Sequence, residues 1–294
     1  MKIETKRQIF QFKQDGIAGV EWGNLESGAE TVLFLHGWLD NLNSYFPLLS
    51  CEQFDPKLRC IAIDFPGHGL SDWRSHDAQY YFVDYVADIV NFLDNKNIER
   101  CHFVGHSMGA LVANVVASCF PQKVISLSLI DGMGILFSNE NTAKSQLTRS
   151  IEQRQTIKRR KPKRFKSKED IIQARKLVSD LSESLIRILM ERSITETDGG
   201  WTLTSDPKLK VASPFRYSKQ QALSLLSGIE ASTLVVFGSK GLEDMKQQVD
   251  VFKACYKTIN TVFIEGGHHC HMESPSLTFK HISAHINANN RSEL

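Results

Sequence analysis

The chain has 294 residues, of which 41% are hydrophobic and 23% charged, and its formal net charge is +2. That length fits one large α/β domain with an insertion, or two modest domains, and the composition excludes a disordered or fibrous class. Near-neutrality argues against general attraction to nucleic acid or anionic lipid, and no stretch approaches the roughly eighteen apolar residues of a membrane span. The opening MKIETKRQIFQFKQDG lacks the apolar run of a signal peptide, and Cys51, Cys60, Cys101, Cys119, Cys255 and Cys270 are scattered without a C-x-x-C. We therefore expect a cytoplasmic protein with reduced thiols.

In chain order, Ile9, Phe10 and Phe12 before Asp15-Gly16, then Val20 and Trp22, predict an N-terminal hairpin. Short β-branched and apolar runs follow at 31–35, 59–63, 102–104, 124–130, 232–237 and 261–264. Most are nearly continuous apolar runs, as expected of parallel strands buried on both faces. Between them, Phe82, Tyr85, Val86, Ile89, Val90 and Leu93 form one helical stripe, and Leu111, Val112, Val115 and Val116 form another. The alternation stops between about Gly132 and Gly228. There Ser167 with Asp170, and Ser182 before Leu185, are helix-start signals, so residues 133–228 read as a mostly helical cap inserted into a core of 1–132 and 229–294. The basic run Lys158 to Lys166 reads as a solvated segment; its functional alternative is attraction of an acidic substrate such as a CoA ester.

Chemistry concentrates at a few points. Gly105-His106-Ser107-Met108-Gly109 lies between a strand and a helical stripe, where a sharp turn lifts a serine Oγ above the sheet edge and the following helix start favours negative charge. Ser107 is the expected nucleophile. Its proton needs an acceptor, and His268, opening the loop after the last strand, is the expected base. His269, Cys270 and His271 are metal-competent types, but neighbours in a turning backbone point apart and no second ligand pair has suitable spacing, so no metal is expected. An oxyanion needs two N–H donors: Met108 offers one, and Trp38, after the strand ending at Leu35, the other. His36, Gly37 and His106 are expected to touch substrate.

The segments HGW at 36–38, DFPGHGLSD at 64–72, VGHSMGA at 104–110 and GHHCHMESP at 267–275 resemble the α/β-hydrolase superfamily over nearly the whole chain. Residues 162–175 and 199–218 resemble the cap of the serine hydrolase-like subfamily. The resemblance implies an α/β fold with a mostly parallel eight-stranded sheet flanked by helices, a helical cap after the sixth strand, and hydrolysis without a cofactor. The chain departs from the superfamily's commonest pattern at the acid, reading Gly238-Ser239-Lys240-Gly241 where an aspartate is usual. Asp131, at the end of the preceding strand, is the favoured acid, with Glu243 or Asp244 as the alternatives. The expected activity is hydrolysis of a small-molecule carboxylic ester through an acyl-enzyme. Thioester or carbon–carbon cleavage by the same machinery, or a non-catalytic ligand-binding scaffold, are the competing readings.

Overall fold

Asp15 and Gly16 both take positive φ, 49° and 80°, the requirement of a two-residue type I′ turn. They join β1 (Phe10–Gln14) to β2 (Ile17–Gly23) as an antiparallel hairpin. The computed structural model describes residues 9–51, 54–159 and 163–290. After the hairpin come β3 (Thr31–Leu35), α1 (Phe46–Cys51), β4 (Arg59–Ile63), α2 (Phe82–Asn95), β5 (Cys101–His106), α3 (Met108–Cys119) and β6 (Val124–Ile130). The chain then enters the insertion, with α4 (Ala143–Arg159), α5 (Lys168–Lys176), α6 (Glu183–Glu191), the hairpin β7 (Ile194–Thr197) and β8 (Gly200–Leu203), and α7 (Lys219–Leu225). It returns through β9 (Ser232–Gly238), α8 (Glu243–Phe252), β10 (Ile259–Ile264), α9 (Cys270–Glu273) and α10 (Pro275–Asn289).

Eight strands form one sheet in the order β1-β2-β4-β3-β5-β6-β9-β10. Pairings from β4 to β10 are parallel; β1 and β2 are antiparallel additions at one edge. Alternate strand residues feed two cores. Leu33, Leu35 and Phe103 pack with Tyr85, Ile89 and Val112 of α2 and α3. Val32, Phe34 and Val236 pack on the other face with Leu48, Phe279 and Ile282 of α1 and α10. The run at 261–264 differs from the other parallel strands: β10 is the far edge, half exposed along its length.

The insertion follows the sixth strand and has a small core of its own, with Ile171, Ile172, Leu181, Ile186, Leu189 and Met190 around Met272 of the main body. Its helix starts are the ones the serines signal: Ser167 and Asp170 form a capping box on α5, and Ser182 caps α6. The insertion is mostly helical and also holds the hairpin β7–β8; these four-residue, half-exposed strands carry no apolar run, although Asp198-Gly199 between Thr197 and Gly200-Trp201 is a hairpin signal. Within 133–228, Met133, Ile135, Ala222 and Leu226 pack into the main core. Of the basic run, residues 160–162 fall outside those described; beside them Arg164 donates to Thr197 Oγ1 at 2.6 Å and Lys163 lies over the Phe165 ring. No helix among the described residues is long and apolar enough to cross a membrane.

Several histidines are sealed in this interior. Burial pushes His36 down to about 4 and, with His36 adding to the effect, His68 down to about 3, against 6.5 for an open chain. Both are neutral when folded and protonate near 6.5 once unfolded, so unfolding takes up protons below that pH and stability falls as pH drops, levelling off only near 3 to 4. Between pH 7.5 and 5 the two together should cost on the order of 4 kcal/mol. Urea unfolding at the two pH values checks this; equal midpoints would contradict it.

Candidate active site

Ser107 sits between β5 and α3 with φ 48° and ψ −115°, a backbone state costly for a residue with a side chain. It is held there from both sides: Ser107 N–H donates to Ile130 O at 2.9 Å, and Leu111 N–H donates to Ser107 O at 3.1 Å. The flanking glycines are required by close approach. A Cβ on Gly105 would lie 2.6 Å from the Ala110 nitrogen, and one on Gly109 would lie 2.1 Å from the Leu35 carbonyl oxygen. With no side chain at these points, α3 can press onto the ends of β3 and β5 while Oγ stands clear.

Two groups converge on that hydroxyl in sequence. His268 Nε2 lies 3.0 Å from Ser107 Oγ, and His268 Nδ1 lies 2.6 Å from Asp131 Oδ2. Asp131 directly follows β6 with φ 41° and is fully buried, whereas His268 keeps a partly open face. The loop after β9, where the family's usual acid would stand, closes around Asp131 instead. Gly238 N–H donates to Oδ1 at 3.3 Å and Leu242 N–H to Oδ2 at 3.2 Å. A Cβ on Gly241 would be 2.2 Å from Oδ1, so the carboxylate occupies the space a side chain would need. Glu243 and Asp244 lie outside this group, in the first turn of α8; the Glu243 side chain is 70% exposed and pairs with Lys246.

The amide of Met108 is the first of α3, and an N–H of a helix's first turn has no acceptor within the helix. Trp38 follows β3 on a loop bent by Leu39 at φ 62°; its indole Nε1 donates to Leu209 O of the insertion at 3.1 Å. His36, Gly37 and His106, expected to touch substrate, are all buried, and each side chain or its space is engaged within the protein. His36 accepts the Phe65 N–H at Nε2 (2.9 Å) and donates from Nδ1 to Gly37 O, tying β3 to the loop after β4. His106 points away from the hydroxyl of its neighbour and donates from Nε2 to the carbonyl of His268 at 2.9 Å. Gly37 leaves room for others: its Cβ would sit 2.8 Å from His106 Nδ1 and 3.1 Å from Asp40 Oδ2.

Asp40 is the residue that sequence reasoning missed. It accepts from His269 Nε2 at 2.9 Å, and Arg175 of α5 lies 3.5 Å from its other oxygen. Burial opposes the charge of Asp40, but His269 and then Arg175 outweigh it and hold the carboxyl well below its ordinary range. Burial likewise opposes a charged His269, and Asp40 overcomes it, raising that imidazole. The one signal in the sequence is a carboxylate four residues after His36 in an apolar stretch; nothing in the spacing pairs it with a histidine 229 residues away. Among the described residues, Asp40, His106 and His269 are the group whose donor atoms could converge on a metal, all within 4.8 Å. Asp40 is already committed to His269 and to the guanidinium of Arg175, a charge that opposes a second cation there.

Comparison with known proteins agrees with this architecture. The model of the alpha/beta hydrolase fold matches residues 30–275, and the chain belongs to the α/β-hydrolase family. Within it the chain falls among serine hydrolase-like proteins. It is 31% identical over 278 residues to one from Danio rerio, covering 87% of this chain and 83% of that protein. It is 29% identical over 273 residues to another from Dictyostelium discoideum, covering 88% and 75%. Among solved structures, a hypothetical protein of Pseudomonas aeruginosa PAO1 superimposes with a TM-score of 0.82 at 25% identity, covering 95% of this chain and 99% of that one.

The Asp131 clamp yields a direct test. Gly241→Ala must displace either the carboxylate or the 238–242 loop, and loss of orientation in the His268 ring should lower hydrolytic turnover about 10- to 100-fold. Glu243→Gln and Asp244→Asn should stay within about twofold of the parent, as surface changes away from the reacting groups do. Steady-state kinetics on the three variants reads the difference; a large loss in either acid variant would move the acid to α8.

Proposed function

We propose that this chain is a serine hydrolase that cleaves carboxylic esters through an acyl-enzyme, with Ser107 as nucleophile, His268 as general base and acid, and Asp131 as the orienting carboxylate. The observation that carries the reading is the unbroken line of hydrogen bonds from buried Asp131 through His268 to a strained, half-buried Ser107.

The chemistry follows from that line. Ser107 Oγ–H donates to His268 Nε2, so as Oγ attacks the ester carbonyl carbon the proton passes to the imidazole. Nδ1–H of the ring donates to Asp131, which fixes the tautomer and stabilises the imidazolium without taking the proton. The carbonyl oxygen becomes an oxyanion and is met by the N–H groups of Met108 and Trp38. Collapse expels the alcohol, which receives the proton from His268 and leaves the acyl group on Ser107. Water then repeats the sequence: His268 takes its proton, hydroxide attacks the acyl carbon, and the carboxylic acid leaves as the proton returns to Oγ. The insertion adjoins the oxyanion loop, since the Trp38 indole donates to Leu209 O of that segment.

A fluorophosphonate probe should label native protein at Ser107, and short p-nitrophenyl esters should be hydrolysed. Ser107→Ala should abolish labelling, and Asp131→Asn should lower kcat about 10⁴-fold, because the amide carries no charge to stabilise the imidazolium and can turn its NH2 to the ring and hold the wrong tautomer. Native protein that neither labels nor hydrolyses any ester of the series would reject the enzyme reading in favour of a ligand-binding scaffold.

A further inference from the structure

The line from Asp131 to Ser107 fixes the His268 ring, but the ring hangs from a loop, and what holds that loop is a second set of polar contacts on its buried side. Two residues of the turn after β10 are gripped. The carbonyl of His268 accepts from His106 Nε2, the side chain immediately before the nucleophile. The next residue, His269, turns its ring the opposite way and gives Nε2 to Asp40. Asp40 lies two residues beyond Trp38, and its own N–H donates to Gly37 O at 3.2 Å, so the loop carrying the Trp38 amide is folded around the same carboxylate. Three segments distant in sequence, at 36–40, 105–109 and 266–271, thus meet at one ion pair beneath the hydroxyl.

The insertion grips this knot from outside. Arg175 of α5 stands 3.5 Å from Asp40 Oδ1. The next residue, Asn41, donates from Nδ2 to Leu189 O at 2.9 Å and to Ser193 Oγ at 2.8 Å, and Asn43 Nδ2 donates to Ile188 O at 2.9 Å. The loop after β3 is consequently held between α5 and α6 above and the His268–His269 turn below.

We propose that Asp40 is a positioning residue that keeps the His268 loop and the Trp38 loop in register with Ser107 through its pair with His269, and that Arg175 makes the seating of the cap part of that hold. The inference rests on the triad reading above. A purely structural ion pair would affect how much protein folds; a positioning pair affects turnover per folded site, because a shift of about 1 Å in a reacting group can cost on the order of 100-fold in rate.

The test uses the full chain with p-nitrophenyl butyrate as substrate and a fluorophosphonate to count active sites. Asp40→Ala should lower kcat per labelled site about 100-fold while KM changes less than about threefold, and Asp40→Asn, which keeps an acceptor for His269, should recover about tenfold of that loss. Asp40→Ala combined with His269→Gln should lose no more than Asp40→Ala alone, since partners in one contact are not additive. Arg175→Met, at a side chain 26% exposed and so tolerant of change, should lower kcat about 3- to 10-fold in the parent and have no effect in Asp40→Asn. This variant carries the test if Asp40→Ala does not fold. Unchanged kcat per site in Arg175→Met, or additive losses in the double variants, would overturn the proposal. If the parent labels and the Asp40 variants label equally fast, positioning fails alone; if the parent never labels, the triad reading fails and takes the proposal with it.

Discussion

The helix after the serine lies against the end of a neighbouring strand with no room for a side chain between them, and the site is organised by that contact. Gly109 brings the start of α3 so near the Leu35 carbonyl that even a methyl group would overlap it. Because the helix is pressed down, the chain must turn sharply at Ser107 and accept a positive φ there. Such a backbone state costs roughly 1–3 kcal/mol and persists only where the surroundings over-determine it. Here the Ile130 carbonyl behind the turn and the first turn of α3 ahead of it do so. The strain and the presentation of the hydroxyl to His268 have one origin.

Much of this was legible from residues alone, for physical reasons that can be named. Doubly buried parallel strands announce themselves as continuous apolar runs, and Asp15-Gly16 is a turn with few alternatives. The elbow was legible because glycines two positions either side of a serine, between strand and helix, have a steric cause. What stayed hidden depended on long-range partners or on sides of side chains. His106 and His36 look like site residues because they neighbour site residues, yet each turns inward to a backbone group of another segment. Asp40 and His269, 229 residues apart, meet only in the folded chain. The β7–β8 hairpin leaves little trace in the sequence because half-exposed strands of four residues lack the apolar run that marks a buried strand.

The buried polar groups also divide the labour between the two sides of the His268 loop. On one side, Asp131 receives two backbone amides as well as the ring, which satisfies a carboxylate that burial would otherwise make costly. On the other, Asp40 is satisfied by a histidine and an arginine, so charge meets charge where the main chain supplies little. In each set the buried carboxylate has more than one partner, which offsets the cost of holding its charge in the interior.

Asp131 is the first residue after the strand from which the chain departs into the insertion, and Gly132 continues that departure, packed so closely that a Cβ would touch the Ser107 carbonyl at 2.8 Å. The stalk of the insertion and the carboxylate facing His268 are therefore one continuous piece of backbone. A relative that kept its acid after β9 could exchange one insertion for another without touching the acid. In this chain any graft must preserve the first residues of the stalk, so diversification of the upper part is tethered to the chemistry below it.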